Sequence, residues 1–288
     1  MSDQIPPAHR ASRNSDLPVT IIRPSAGWKF PDLKELLAHH ELMSFLVQRN
    51  IKVRYRQTVL GWAWAIIQPL ATMAIMTFVF GRIIGIATYQ TPYWLFALTG
   101  VVLWMFINQS VSATATSLIN NSQLIEKVYL PRLAIPTATI VASLVDLAIS
   151  MVMLLLAILI SGLGLSPRML LMPLIVLTTA LMCTGLGSAL AAISVRYRDV
   201  VYLVPFGLQL WFFATPIAYP LSLVPENWRP LMAANPATGL CEIFRWAMLG
   251  TNSDFWQYVP ISMMSLAVVL FCGLLVFRRM ERSFADVI

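Results

Sequence analysis

Charge is what this sequence most lacks. Only 11% of its 288 residues are Asp, Glu, Lys or Arg and 58% are hydrophobic, whereas soluble domains carry roughly 25% charge. So few charges cannot solvate a compact surface of this size. That excludes a soluble enzyme, a secreted disulfide scaffold and a disordered chain. Cysteine is scarce: Cys183, Cys241 and Cys272 have neither CxxC spacing nor enough partners for a disulfide framework. Histidine is scarce too, and His9, His39 and His40 all precede the first apolar run, so no histidine-based metal site or triad falls within it. The four lysines follow Trp28, Leu33, Ile51 and Glu126, whereas a P-loop lysine must follow a glycine. No HExxH, GxSxG or metal-spaced cluster is present either, and an enzyme reading would rest on scattered carboxylates.

What is present is a series of apolar runs, and the mean hydropathy is +0.73. A helix needs about 20 mostly apolar residues to cross roughly 30 Å of hydrocarbon. Runs of that size are Val59–Gly81, about Tyr93 to Ile119, Ile135 to Ile160, Met169–Ser194, Val200–Ala218 and Trp256–Phe277. The sequence therefore predicts an all-α polytopic membrane protein with six transmembrane helices. Tyr89-Gln90-Thr91-Pro92 divides the first two runs, and Gly162-Leu163-Gly164 closes the third.

Charge then sets the orientation. Sixteen of the 20 basic residues fall on one side of these runs, and Arg82, Arg168, Arg229 and Arg245 fall on the other. Cytoplasmic loops collect Lys and Arg, so both termini are expected in the cytoplasm. The net charge of +7 would point to nucleic acid in a soluble protein. Here topology explains it, and no nucleic-acid partner is expected. Residues 1–30 have no apolar signal-peptide core and read as a disordered cytoplasmic tail. Residues 31–58 form an interface segment, and 59–288 the six-span domain.

Two stretches fail to span. Asp32–Val47 places Leu33, Leu36, Leu37, Met43 and Leu46 at helical spacing, which predicts an amphipathic helix in the cytoplasmic interface. Pro220–Phe255, between spans five and six, contains Asn235-Pro236, an N-cap followed by proline at the first helical position. A helix over Pro236–Leu249 is predicted, about 20 Å long and too short to cross, hence re-entrant or interfacial.

Several stretches carry two readings. The loop around 121–132, containing Gln123, Leu124, Glu126, Lys127, Tyr129, Leu130 and Arg132, is either a connector or a short docking helix. Arg49, Lys52, Arg54 and Arg56 either anchor the chain on anionic lipid, at about 1 kcal/mol per charge, or form a basic vestibule for a lipid-linked pyrophosphate. Asp146 stands alone as a carboxylate inside a span. It must face the bundle interior or water, for structural hydrogen bonding or a proton relay. Trp62, Trp104, Trp211, Phe212, Phe213 and Trp246 either belong to interfacial belts or line a passage on which sugar faces stack. Gly185, Gly187, Ser188, Ala189, Ala191 and Ala192 predict close helix packing.

Four motif regions carry a resemblance. They are Ile51-Lys52-Val53-Arg54-Tyr55-Arg56-Gln57-Thr58-Val59-Leu60-Gly61-Trp62 leading to Gln68-Pro69, and Leu124-Ile125-Glu126-Lys127-Val128-Tyr129-Leu130-Pro131-Arg132. The others are Arg196-Tyr197-Arg198-Asp199 with Thr215-Pro216-Ile217-Ala218-Tyr219-Pro220, and Asn235-Pro236 with Glu242-Ile243-Phe244-Arg245-Trp246. From about Phe30 onward the chain resembles the membrane permease subunit of bacterial ABC exporters for polysaccharides and polyol phosphates, the O-antigen, capsule and teichoic-acid type. The resemblance implies a homodimer in the bacterial inner membrane with two separate P-loop ATPase subunits that hold ATP and Mg, no cofactor being bound by this chain. It implies docking through Gln123–Arg132, an undecaprenyl-linked glycan as cargo, and an outer gate within 220–255 that includes Asn235, Glu242 and Arg245. Rival readings are an ABC exporter of lipids or drugs, an ion-coupled secondary transporter and a membrane-embedded glycan-modifying enzyme.

Overall fold

A computed structural model describes residues 40–56, 60–88, 91–127, 130–251 and 254–281. All regular structure among them is helical. Helix α1 spans His40–Tyr55, and a 3-10 turn at Gly61–Ala63 leads into α2 (Trp64–Met76), which a π-helical stretch prolongs over Thr77–Ile83. Then come α3 (Tyr93–Ala115), the short α4 (Ser122–Lys127), α5 (Ala134–Ile160) and α6 (Met172–Arg196). They are followed by α7 (Val200–Phe213), α8 (Arg229–Ala233), α9 (Pro236–Leu249) and α10 (Val259–Glu281).

Five helical segments are long and apolar enough to cross a membrane: Gly61–Ile83, Tyr93–Ala115, Ala134–Ile160, Pro167–Arg196 and Phe255–Glu281. The run expected at Val200–Ala218 is shorter, because α7 has 14 residues and so rises only about 21 Å. Thr215 precedes Pro216, which disfavours the α conformation at Thr215 and removes the next donor. The expected interface helix also differs. Residues 32–39 lie outside the described residues, and α1 continues past Val47 to Tyr55, so the basic segment is itself helical.

α3 is the central helix. Its most apolar window is 78% buried, against 11% for the Gly61–Ile83 span. Small residues let its neighbours approach. A Cβ on Gly273 of α10 would lie 2.1 Å from the Gly185 carbonyl oxygen of α6, and one on Gly187 would lie 2.9 Å from a Thr114 methyl of α3. A second core at the α1 end joins Leu46, Leu118, Leu133, Ile135 and Phe277, so α1 is fixed to α5, α6 and α10 rather than lying free.

Proline inside α2 has a compensation. Pro69 cannot donate to the Ala65 carbonyl, and in hydrocarbon an unpaired carbonyl costs several kcal/mol. Ser150 of α5 donates to that carbonyl at 2.9 Å, which ties α2 to α5.

Candidate functional site: a polar groove beside the central helix

Asp146 lies 12 residues into α5, about 18 Å from its start and near mid-helix. A lone carboxylate at that depth needs a partner, and it has one in Arg54. The guanidinium forms an ion pair with Asp146 and donates from Nη2 to Ser143 Oγ at 3.3 Å. Both side chains are 20% exposed, so the pair is screened from solvent without being sealed off. Arg54 is therefore committed to α5, while Lys52 and Arg56 are exposed and Arg49 hydrogen-bonds Asn50 and Asn121. The four expected vestibule cations thus divide between two settings.

The pair opens onto a groove of about 460 Å³ lined by the end of α1, the Gly61 turn, α2, α3 and α5. Gly61 has φ of +49°, a left-handed conformation that glycine adopts at little cost. Gln68, Asn108 and Gln109 line the groove with Ser143 and Ser150, and the three amides are exposed. Amides at this depth cannot be satisfied by lipid tails. They face water, ligand or protein. Exposed Trp64 supplies aromatic surface, and buried Phe106 backs the lining from α3.

The six expected channel aromatics separate into three groups, and none lines this groove. Trp62 stacks flat on Tyr55 at 4.2 Å. Trp104 is buried and meets Trp211 and Phe212, each at 5.6 Å, with Phe213 beside Phe212. Trp246 packs edge-on against Trp256 at 4.8 Å, with the Arg168 guanidinium 4.9 Å above its ring.

The expected outer-gate residues form a tight hub. Asn235 caps α9 by accepting from the Ala237 N–H at 3.0 Å, and also accepts from Trp211 Nε1 at 2.8 Å. Its amide donates to Thr215 Oγ1 at 3.0 Å, so one side chain joins the end of α7 to the start of α9. At the other end Gly250 (φ +68°) closes α9, its N–H donating to Trp246. Glu242 and Arg245 form the i,i+3 ion pair expected of them, at 3.2 Å, but in the interior. Arg245 is 1% exposed. It donates to the Pro216 and Ile217 carbonyls at 2.5 and 2.7 Å and lies 3.8 Å above the Phe96 ring. Gly100 leaves it room, since a Cβ there would lie 2.6 Å from Nη2.

In the expected docking stretch the chain forms a 3-10 turn at Ile119–Asn121 followed by α4. Gln123 is exposed, and Leu124 and Ile125 pack on the second core. Leu130 is buried, and Arg132 donates to the Glu281 carbonyl. Those last two hold the loop to the bundle. The side chains of Glu126, Lys127 and Tyr129 lie outside the described residues. Among the described residues no cluster of His, Cys, Asp or Glu could hold a metal.

Long apolar helices around polar groups that lipid cannot satisfy define a multi-pass helical membrane protein of the transport class. Comparison with known proteins then narrows the class. The family model for ABC-2 type transporters matches residues 41–249, and the chain belongs to that family. It is 32% identical over 210 residues to the O-antigen export system permease protein RfbA of Myxococcus xanthus, covering 72% of this chain and 80% of that one. The protein of the same name from Klebsiella pneumoniae is 26% identical over 251 residues, 86% of this chain and 95% of that one. The polysialic acid transport protein KpsM of Escherichia coli is 26% identical over 242 residues, 83% and 93% of the two chains. Membership implies that ATP and Mg act through a separate ATPase partner.

Proposed function

We propose that this chain is the transmembrane subunit of an ATP-driven exporter that moves an undecaprenyl-linked polysaccharide from cytoplasm to periplasm. O-antigen is the favoured cargo, with capsule polysaccharide or teichoic acid the neighbouring choices. The observation that carries the reading is the groove, where three exposed amides on apolar helices gather beside an Arg–Asp pair. A hydroxyl-rich chain satisfies such groups and lipid does not. The printed names of the relatives, O-antigen export and polysialic acid transport, point the same way.

In this reading α7 makes a sixth crossing together with residues 214–218, an even number of crossings puts both termini on one side, and the bias of Lys and Arg makes that side the cytoplasm. A second copy closes the groove into a passage. Two ATP-binding subunits that hold ATP and Mg dock on residues 121–132. Lys52 and Arg56, with Arg49 at their edge, attract the pyrophosphate head, and the hub of Asn235, Glu242 and Arg245 holds the outer gate. Movement at α4 reaches the groove through Asn121 and Arg49, then along α1 to Arg54. An ion-coupled transporter would need a carboxylate free to take up a proton or cation, whereas Asp146 is engaged by Arg54.

The test is export of lipid-linked glycan by the permease and its ATPase in liposomes. Export should require ATP and survive collapse of ion gradients. Combined Gln123→Ala, Glu126→Ala and Lys127→Ala should uncouple ATP hydrolysis from export. Export by the permease alone, or export lost with the gradient while ATP remains, overturns the proposal.

A further inference from the structure

Asp146 faces a groove that the proposed function treats as a passage for glycan, and its charge determines which glycan fits. Arg54 alone would make the groove cationic. Arg54 paired with Asp146 makes it neutral overall, because the other polar lining groups among the described residues, Tyr55, Gln68, Asn108, Gln109, Ser143 and Ser150, are uncharged. The exposed amides Gln68, Asn108 and Gln109 each offer a donor and an acceptor, whereas Ser143 and Ser150 are buried and bonded to Arg54, Thr139 and Ala65. Each partner of the ion pair keeps hydrogen-bonding capacity beyond the other, because a guanidinium has five N–H donors and a carboxylate about four lone-pair sites. Trp64, 45% exposed, adds an apolar face to the lining. Donors, acceptors and an aromatic face without net charge match an uncharged sugar ring, whose rim is hydroxyl and whose faces are C–H.

We propose that the groove is a binding subsite for uncharged sugar units and that Asp146 sets this selectivity by cancelling Arg54. The inference rests on the glycan-export reading and specifies which glycans it applies to. A sialic or uronic acid unit brings a carboxylate close to Asp146 with no unpaired cation in the groove to receive it. Without the Asp146 charge Arg54 is uncompensated, and one such charge about 8 Å from the carboxylate, at an effective dielectric near 20, changes affinity by at least about tenfold.

The test uses the full-length permease in lipid nanodiscs, with a mannose oligosaccharide and a sialic-acid oligomer of equal length as probes, each titrated to equilibrium. Wild type should bind the mannose oligosaccharide more tightly, because a carboxylate loses hydration in the groove without gaining a cation. Asp146→Asn uncovers the Arg54 charge and should narrow or reverse that ratio by at least about tenfold, and Asp146→Asn with Arg54→Gln should restore it. Gln109→Lys adds a cation on an exposed side chain without touching the pair, so it tests the idea even where Asp146→Asn does not fold. It should move the ratio toward the sialic-acid oligomer. Equal binding of both probes by wild type overturns the proposal, as does an unchanged ratio in Gln109→Lys. ATP-driven export measured in parallel separates the two claims: export with no neutral preference sinks this inference alone, whereas no glycan export at all sinks the proposed function.

Discussion

The Ser150 hydroxyl on α5 donates at 2.9 Å to the Ala65 carbonyl of α2, the carbonyl that Pro69 leaves without its helical donor. One hydrogen bond thus repairs a backbone defect and joins two helices. Its removal should be felt only where the defect exists.

Ser150→Ala is expected to cost about 1 kcal/mol and to lower the unfolding midpoint in detergent. With Pro69→Ala also present the Ala65 carbonyl regains a backbone donor, and the same serine change should cost much less. An equal loss in both backgrounds would mean that the hydroxyl serves some other contact.

Gly273→Ala forces a methyl to within 2.1 Å of the Gly185 carbonyl oxygen, and backbone cannot yield as a side chain can. A loss of about 1–3 kcal/mol is expected, read as a lower midpoint and a broader size-exclusion peak. Gly207→Ala on α7 is the control, since nothing lies within 4 Å of its added Cβ. Equal behaviour of the two variants would contradict the close α6–α10 approach.

Arg245→Met removes the donor that holds the Pro216 and Ile217 carbonyls and leaves Glu242 without this cation. Breaking a buried pair from one side costs about 3–5 kcal/mol. Arg245→Lys should recover only part of it, because an ammonium cannot reproduce the guanidinium fork or its stacking on Phe96. Adding Glu242→Gln to Arg245→Met should recover more than Lys does. Thermal unfolding of the four proteins checks the order.

Burial pushes the Cys241 thiol on α9 up to about 11, against the pull of Arg245 and with a smaller push from Glu242. The folded state therefore favours the neutral thiol. Its stabilising contribution is complete below about pH 9 and is lost as pH rises toward 11. A maleimide at neutral pH should spare buried Cys241 and Cys183 in the folded protein and modify both once it is unfolded. Peptide mass spectrometry distinguishes them, and equal rates at Cys241 in folded and unfolded protein would contradict the burial of α9.

The helices were legible in the sequence because hydrocarbon permits few alternatives, and α9 was legible to the residue because Asn235-Pro236 and Gly250 are local signals. The end of α7 was not, since an apolar run continues through Thr215-Pro216 while the helix cannot. The groove was hidden for a different reason. Gln68, Asn108 and Gln109 sit singly or in pairs within uncharged runs, where their polarity is diluted. A search for amides inside apolar spans would have found them. Arg54 read as one charge in a basic cluster, and its partner lies 92 residues further on. Such pairings are set by tertiary packing. Glu242 and Arg245 had the right spacing for their ion pair, but nothing local revealed that Gly100 and Phe96 would enclose it.

Helix α1 is anchored at two places on one rigid cylinder. Arg49 is bonded to Asn121 just ahead of α4, and Arg54 to Asp146 on α5. Five residues of helix separate the anchors, about 7.5 Å, too short a length to flex appreciably. While both bonds hold, a shift of the loop before α4 therefore has a short, stiff route to Asp146, linking the protein's rim to its middle.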